Sequence, residues 1–288
     1  MQFDELSYAS PHDPAIKRWL IHVIEHLSGR PLLLPVYRDW QVVARSRPNF
    51  MMRELIRMVD VRLTVRGPAW PPQLVAGEPT IMIANHPFGI GDGVALLALA
   101  EELGRPYRVF VDSRLMKIPE IRPFALPICF EATREARRIN LRSRQKAREF
   151  LVGEHTVVVF PAGAVATARW PFGRAKEWPW KNFTARLLQG SGASVLPFYF
   201  EGQNSPIFHV ASRLSMTLRL ALLVSEFIRR FRGAEIIVHS GLVVPNVALS
   251  DIDNGKRLTK ELYRMVMELA PGSNSRSHFG DTDHQNIS

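Results

Sequence analysis

One imidazole and one carboxylate bracket a glycine-rich turn in this chain of 288 residues: His86 and Asp92, within "ANHPFGIGDG" (84–93). Such a pair has a clear chemical use. Neutral imidazole is a competent general base near pH 7, and a carboxylate on its other nitrogen fixes the tautomer and steadies the imidazolium. No serine adjoins the motif, so the hydroxyl that this base would activate belongs to a substrate. The same residues admit a plainer reading, in which Asp92 caps a helix and His86 is a hydrogen-bonded turn residue. A phosphate loop fits less well, because "GIGDG" has no Walker lysine and does not match the dinucleotide fingerprint.

The elements that must position this pair follow from the apolar pattern. Strand-like runs occur at 61–65, 80–85, 107–112, 156–160, 194–200 and 235–241. Helical patterns lie between most of them, at 92–103, 133–152, 179–190, 214–232 and 254–270. Continuous apolar strands alternating with helices predict an α/β fold around a mostly parallel mixed sheet covered by helices. In such sheets chemistry gathers at the carboxyl ends of strands, and His86 directly follows the run 80–85. Pro87 turns His86 away from helical geometry, and Gly89, Gly91 and Gly93 let the backbone reverse. Residues 1–60 are read as an N-terminal helical region, with one helix at 15–29 and two further short ones in 30–60. Residues 61–270 form the α/β domain. The polar stretch 271–288 is a disordered tail, and its His278, Asp281, Asp283 and His284 are read as tail residues, not as metal ligands.

Composition narrows the partners. The chain carries 37 Lys and Arg against 27 Asp and Glu, a formal charge of +10, which favours an anionic partner such as lipid headgroups, an acidic carrier protein or nucleic acid. Cys129 is the sole cysteine, so neither an intramolecular disulfide nor a thiolate cluster can form, and a reducing compartment is the default. The start "MQFDELSYASPHDP" lacks the layout of a signal peptide, and no apolar run reaches the ~18 residues of a membrane span. Any work on lipids is therefore expected from the membrane surface.

Three stretches carry a family resemblance. "ANHPFGIGDG" resembles the first signature of the phospholipid/glycerol acyltransferases, in which His and Asp flank a short turn. "VVVFPAGAVAT" (157–167) resembles their Phe-Pro-x-Gly signature, and "VLPFYFEGQNS" (195–205) a later signature with a strand proline. All three occur in the family's order. The resemblance implies that His86 is the base that activates an acceptor hydroxyl against an acyl thioester, with Asp92 orienting it. It further implies that Asn85, the turn Phe160-Pro161-Ala162-Gly163 and a basic residue of the remaining, acceptor-binding signature, which "DSRLMKIPEIRPFALPICFEATRE" (112–135) resembles and for which Arg134 is the candidate, bind the substrate. The donor would be acyl-ACP or acyl-CoA, with no other cofactor and no metal. The acceptor would be a lysolipid, at the cytoplasmic face of the inner membrane.

Two departures bear on the acceptor. Five residues separate His86 from Asp92 where the family commonly has four, and Ala162 replaces the usual glutamate of Phe-Pro-Glu-Gly. Both variants resemble a hemolysin-like bacterial branch, some of whose members are linked to acylation of aminolipids. Lysophosphatidate and lyso-ornithine or another N-acyl amino lipid are thus both expected acceptors. The run 134–150 holds seven Arg and Lys against two Glu, and 168–183 interleaves aromatic with basic residues. Either is a solvated face or covering loop, or a contact with anionic lipid or an acidic carrier. The competing functions are a catalytically idle lipid-binding relative, a hydrolase using the same base, and a nucleic-acid-binding protein, for which no recognition motif is present.

Overall fold

The structure is a computed structural model that describes residues 30–214 and 226–272, together with Ala15, Arg219, Leu222 and Leu223. Residues 16–29 of the expected first helix, eight residues of the run 214–232 and residues 273–288 of the polar tail lie outside the described residues. Seven strands form one sheet: β1 (Arg62–Arg66), β2 (Thr80–Ala84), β3 (Tyr107–Asp112), β4 (Ala125–Ile128), β5 (Thr156–Val159), β6 (Ser194–Phe200) and β7 (Glu235–Ser240). Their order is β1-β7-β6-β2-β5-β3-β4, and all neighbours are parallel except β6 and β7. The expected α/β class and mostly parallel mixed sheet are borne out. β4 is an addition: its "ALPI" is too short and proline-broken to show a strand period, and it pairs only at the sheet edge.

Helices cover both faces. They are α1 (Arg30–Ser46), α2 (Met51–Met58), α3 (Ile90–Glu102), α4 (Arg134–Phe150), α5 (Phe183–Leu188), α6 (Pro206–Leu214) and α7 (Gly255–Met267), with a π-helical turn at Glu226–Arg230. Side chains alternate across the strands, so neighbours in sequence enter different cores. Met82 and Ala84 of β2 join Trp40, Met52, Leu96 and Phe231 on one side, whereas Ile81 and Ile83 join Ala147, Leu187 and Leu262 on the other. β2 is buried at every position, which is why its run is continuously apolar. α1 is longer than the two short helices expected and contains Pro35. It packs through Tyr37 and Trp40 into the same core as α2 and α3. Buried Glu101 ties these layers, because its carboxylate accepts from Met52 N and Arg53 N, both at 2.9 Å, at the start of α2.

Candidate active site

The carboxyl ends of β6, β2 and β5 lie side by side, and each leads into one of the three signature segments. Where β2 stops, Asn85 continues the pairing with its side chain. Its Nδ2 donates to Phe200 O at 3.0 Å and its Oδ1 accepts from Phe200 N at 2.7 Å. The amide of Asn85 is thus engaged by the end of β6, which fixes the position of its neighbour. His86 follows, with its backbone held on both sides. Its N–H donates to Glu177 Oε2 at 3.2 Å, and its carbonyl accepts from Ala166 N at 2.8 Å.

The turn then closes on Asp92, which is fully buried in the first turn of α3. Oδ2 accepts from Phe88 N at 2.7 Å, and Oδ1 lies 3.0 Å from His86 Nδ1. Asp92 is therefore not the helix N-cap of the plainer reading, a position that Gly89 takes: one of its oxygens holds the loop before the helix and the other faces the ring. The Nδ1–Oδ1 approach is close but off-axis, for neither atom meets the angular requirement of a hydrogen bond. A small ring rotation would align them, a common situation in unliganded active sites. Gly89 makes the turn possible, with φ of +83° and no room for a β-carbon between Leu223 and Val165. Phe88 packs edge-on against Phe231, ring centroids 4.8 Å apart, and anchors the loop.

The turn Phe160-Pro161-Ala162-Gly163 follows β5, closed by Gly163 N donating to Phe160 O at 2.9 Å. The Phe160 ring lies 4.2 Å from that of His86, centroid to centroid, and shields one side of it. Pro161 and Ala162 are buried. The chain then folds back through an antiparallel bridge between Thr167 and Lys176, and Lys181 N donates to Pro161 O at 3.3 Å. This return brings Glu177 to His86.

Charge around the ring is mixed. Burial opposes the charged form of His86, but Asp92 and then Glu177 outweigh it, so the pKa is raised above the ordinary imidazole value, with Arg219 pulling the other way. Burial pushes Glu177 up to about 7, against the hydrogen bond from His86 N. Two carboxyl groups and one guanidinium therefore set the proton affinity of a single imidazole. Its Nε2 bonds no described residue, and the side chain retains 16% exposure, so the ring has an open edge.

Arg134 follows the loop of Phe130, whose ring would lie 3.5 Å from a β-carbon placed on Gly163. Arg134 itself is exposed on the first turn of α4, beyond edge strand β4, where Thr133 caps the helix. Two cations not singled out in the sequence border the signature segments. Lys181 Nζ sits 5.4 Å from the Phe130 ring and would be 3.9 Å from a β-carbon placed on Gly163. Arg219 is buried, donates to Val165 O at 2.8 Å and reaches 5.8 Å from the Phe208 ring; burial lowers its pKa. Its signal was an arginine inside the apolar run "TLRLALL". Glu177 had one too, as the sole acid among the aromatic and basic residues of 168–183. Among the described residues no group of three or more His, Cys, Asp or Glu could hold a metal ion.

A family model described as acyltransferase matches residues 71–242, which is more than half of the chain and includes all three signatures. The chain belongs to the acyltransferase family. Among solved structures it is similar to the 1-acyl-sn-glycerophosphate (LPA) acyltransferase PlsC from Thermotoga maritima, with a TM-score of 0.50 and 15% identity over 92% of this chain and 98% of that one. At that identity the likeness speaks to the acyltransferase fold alone. No curated protein matches. No described helix is long and apolar enough to cross a membrane.

Proposed function

We propose that this protein is a peripheral membrane O-acyltransferase, which moves a fatty acyl group from an acyl thioester to the hydroxyl of a lysolipid. The observation that carries this reading is the buried Asp92 carboxylate 3.0 Å from His86 Nδ1, with Nε2 left to face a substrate. The His86 contacts described above come from carboxyl groups, a phenyl ring and backbone; none is a hydroxyl or thiol, so the nucleophile is supplied by the acceptor. His86 Nε2 takes the acceptor's proton as its oxygen attacks the thioester carbonyl. The tetrahedral intermediate then collapses, the C–S bond breaks, and the leaving thiolate takes the proton from the imidazolium. The products are an ester and a free thiol. Desolvation around the ring keeps water from competing for the acyl group.

The donor in this reading is acyl-ACP or acyl-CoA. All seven Arg and Lys residues of α4 are exposed, while the helix buries Ala136, Ser143 and Ala147, and such a face suits an acidic carrier. The acceptor is a lysolipid with an anionic or zwitterionic head. The PlsC relative is named for lysophosphatidate, but Ala162 takes the place of the acid in the Phe-Pro-x-Gly signature. Glu177 beside His86 would repel a phosphate and attract an ammonium, which favours an N-acyl amino lipid with a free hydroxyl. The deciding assay offers lysophosphatidate and a lyso-aminolipid separately to the purified protein with one acyl thioester. Aminolipid is expected to lead by about tenfold in kcat/KM, equal to about 1.4 kcal/mol of differential transition-state binding. A tenfold lead for lysophosphatidate overturns the aminolipid acceptor. Failure to transfer to either overturns the enzyme.

A further inference from the structure

The segment that brings Glu177 to His86 also builds an unusual surface. Trp170, Pro171, Phe172 and Gly173 form the tip of a hairpin, closed by Gly173 N donating to Trp170 O at 3.0 Å and, below it, by the Thr167–Lys176 bridge. Phe172 is 90% exposed and Trp170 65%. Beside the tip, α6 leaves Ile207 and Val210 exposed while burying Phe208, His209 and Ala211. Large apolar groups left together in water mark an interaction surface.

The tip is not a loose loop. Gln203 supports it from behind, with Oε1 accepting from Ala175 N at 2.7 Å and Nε2 donating to Gly173 O at 2.9 Å. Arg213 of α6 donates to Arg169 O at 2.9 Å and reaches 6.0 Å from the Trp170 ring. Hairpin and α6 are thereby one rigid platform, already in the shape that would meet a partner.

Charge selects the partner. Residues 164–182 and 203–214 contain five cations, Arg169, Arg174, Lys176, Lys181 and Arg213, all exposed. Their one acid is Glu177, and its carboxylate is turned inward to His86 N and Trp180 Nε1. A protein interface tends to exclude lysine from its core, whereas a bilayer interface accepts amphipathic rings among cations that reach back to phosphates.

We propose that the Trp170–Phe172 tip, with Ile207 and Val210 of α6, seats this protein on an anionic bilayer. The tip enters the headgroup layer and the surrounding cations meet lipid phosphates. Because Glu177 follows the hairpin and holds the backbone of His86, the seated tip also brings the base to the lipid surface. The inference deepens the reading of a lysolipid acceptor, which would then reach His86 without leaving the membrane.

The test uses the full chain and vesicles of phosphatidylcholine with phosphatidylglycerol. The double variant Trp170→Ala/Phe172→Ala is expected to lower the vesicle partition coefficient about tenfold or more, since interfacial binding scales with the apolar area inserted. Phe172→Trp adds a fluorophore at the tip, and brominated acyl chains are expected to quench the added emission. Unchanged partitioning of a folded double variant, or an added tryptophan that bromine does not quench, overturns the proposal. Neither readout needs turnover, so an inactive protein still tests the surface, and the catalytic reading fails or stands on the acyl-transfer assay alone.

Discussion

Asp92 faces His86 Nδ1 at 3.0 Å with one carboxylate oxygen and holds Phe88 N with the other. Ring orientation and turn geometry are therefore set by the same side chain. Asp92→Asn keeps the shape but offers an NH2 to one of these partners. His86→Ala is expected to lower kcat by roughly 10² to 10⁴, the range that a general base contributes. Asp92→Asn is expected to lower kcat more than it raises KM. Acyl transfer at the parental rate by His86→Ala, folded by circular dichroism, would exclude the mechanism.

The pH profile follows from the charges around the ring. A base works only when deprotonated, so the raised pKa of His86 moves the acidic loss of kcat/KM to higher pH than an unperturbed imidazole would give. Glu177, pushed up to about 7, titrates with it as a coupled pair. Glu177→Gln removes an anion that favours the imidazolium, so the acidic limb should move to lower pH. Arg219→Gln removes a cation that disfavours it, and the limb should move the opposite way. Profiles that shift in the same direction in both variants would refute this assignment of charges.

Membrane attachment should be sensitive to salt. The charge of +10 and the exposed cations of the hairpin attract anionic headgroups, an attraction screened over about 8 Å at physiological ionic strength. Sedimentation with anionic vesicles at low salt, and partial release at high salt, is the expected result. Equal binding to neutral and anionic vesicles at every salt concentration would instead indicate purely apolar insertion.

Gly89 offers a test of the turn by stability. Its φ of +83° is strained for any β-carbon, and one placed there would lie 2.8 Å from Leu223 Cδ2 and 3.0 Å from Val165 Cγ2. Gly89→Ala is expected to cost about 1–3 kcal/mol through backbone strain and overpacking. Urea denaturation measures it. A loss smaller than 0.5 kcal/mol, the usual scale of a surface substitution, would show that the turn can relax.

Much of this was legible in the chain. The buried central strands announced themselves as unbroken apolar runs, and the strand end at Ala84 was marked by Pro87. His86 and Asp92 are six positions apart, and a tight turn is a local matter. What escaped was long-range. Glu177 reaches His86 across 91 positions by a return of the chain that no period encodes. Lys181 reaches the Phe130 ring and the Gly163 turn by the same return of the chain. The amide of Asn85 looked available to a substrate, because its partner, Phe200, lies 115 positions on.

That amide has one more consequence. Phe200 presents a donor and an acceptor to Asn85, and both are answered by a side chain with 6% exposure. Aspartate has the same outline, but it would set an oxygen against Phe200 O, two acceptors facing one another in a buried place. The swap of one NH2 for an oxygen would thus part the end of β6 from the loop that carries His86, with no loss of volume in the core.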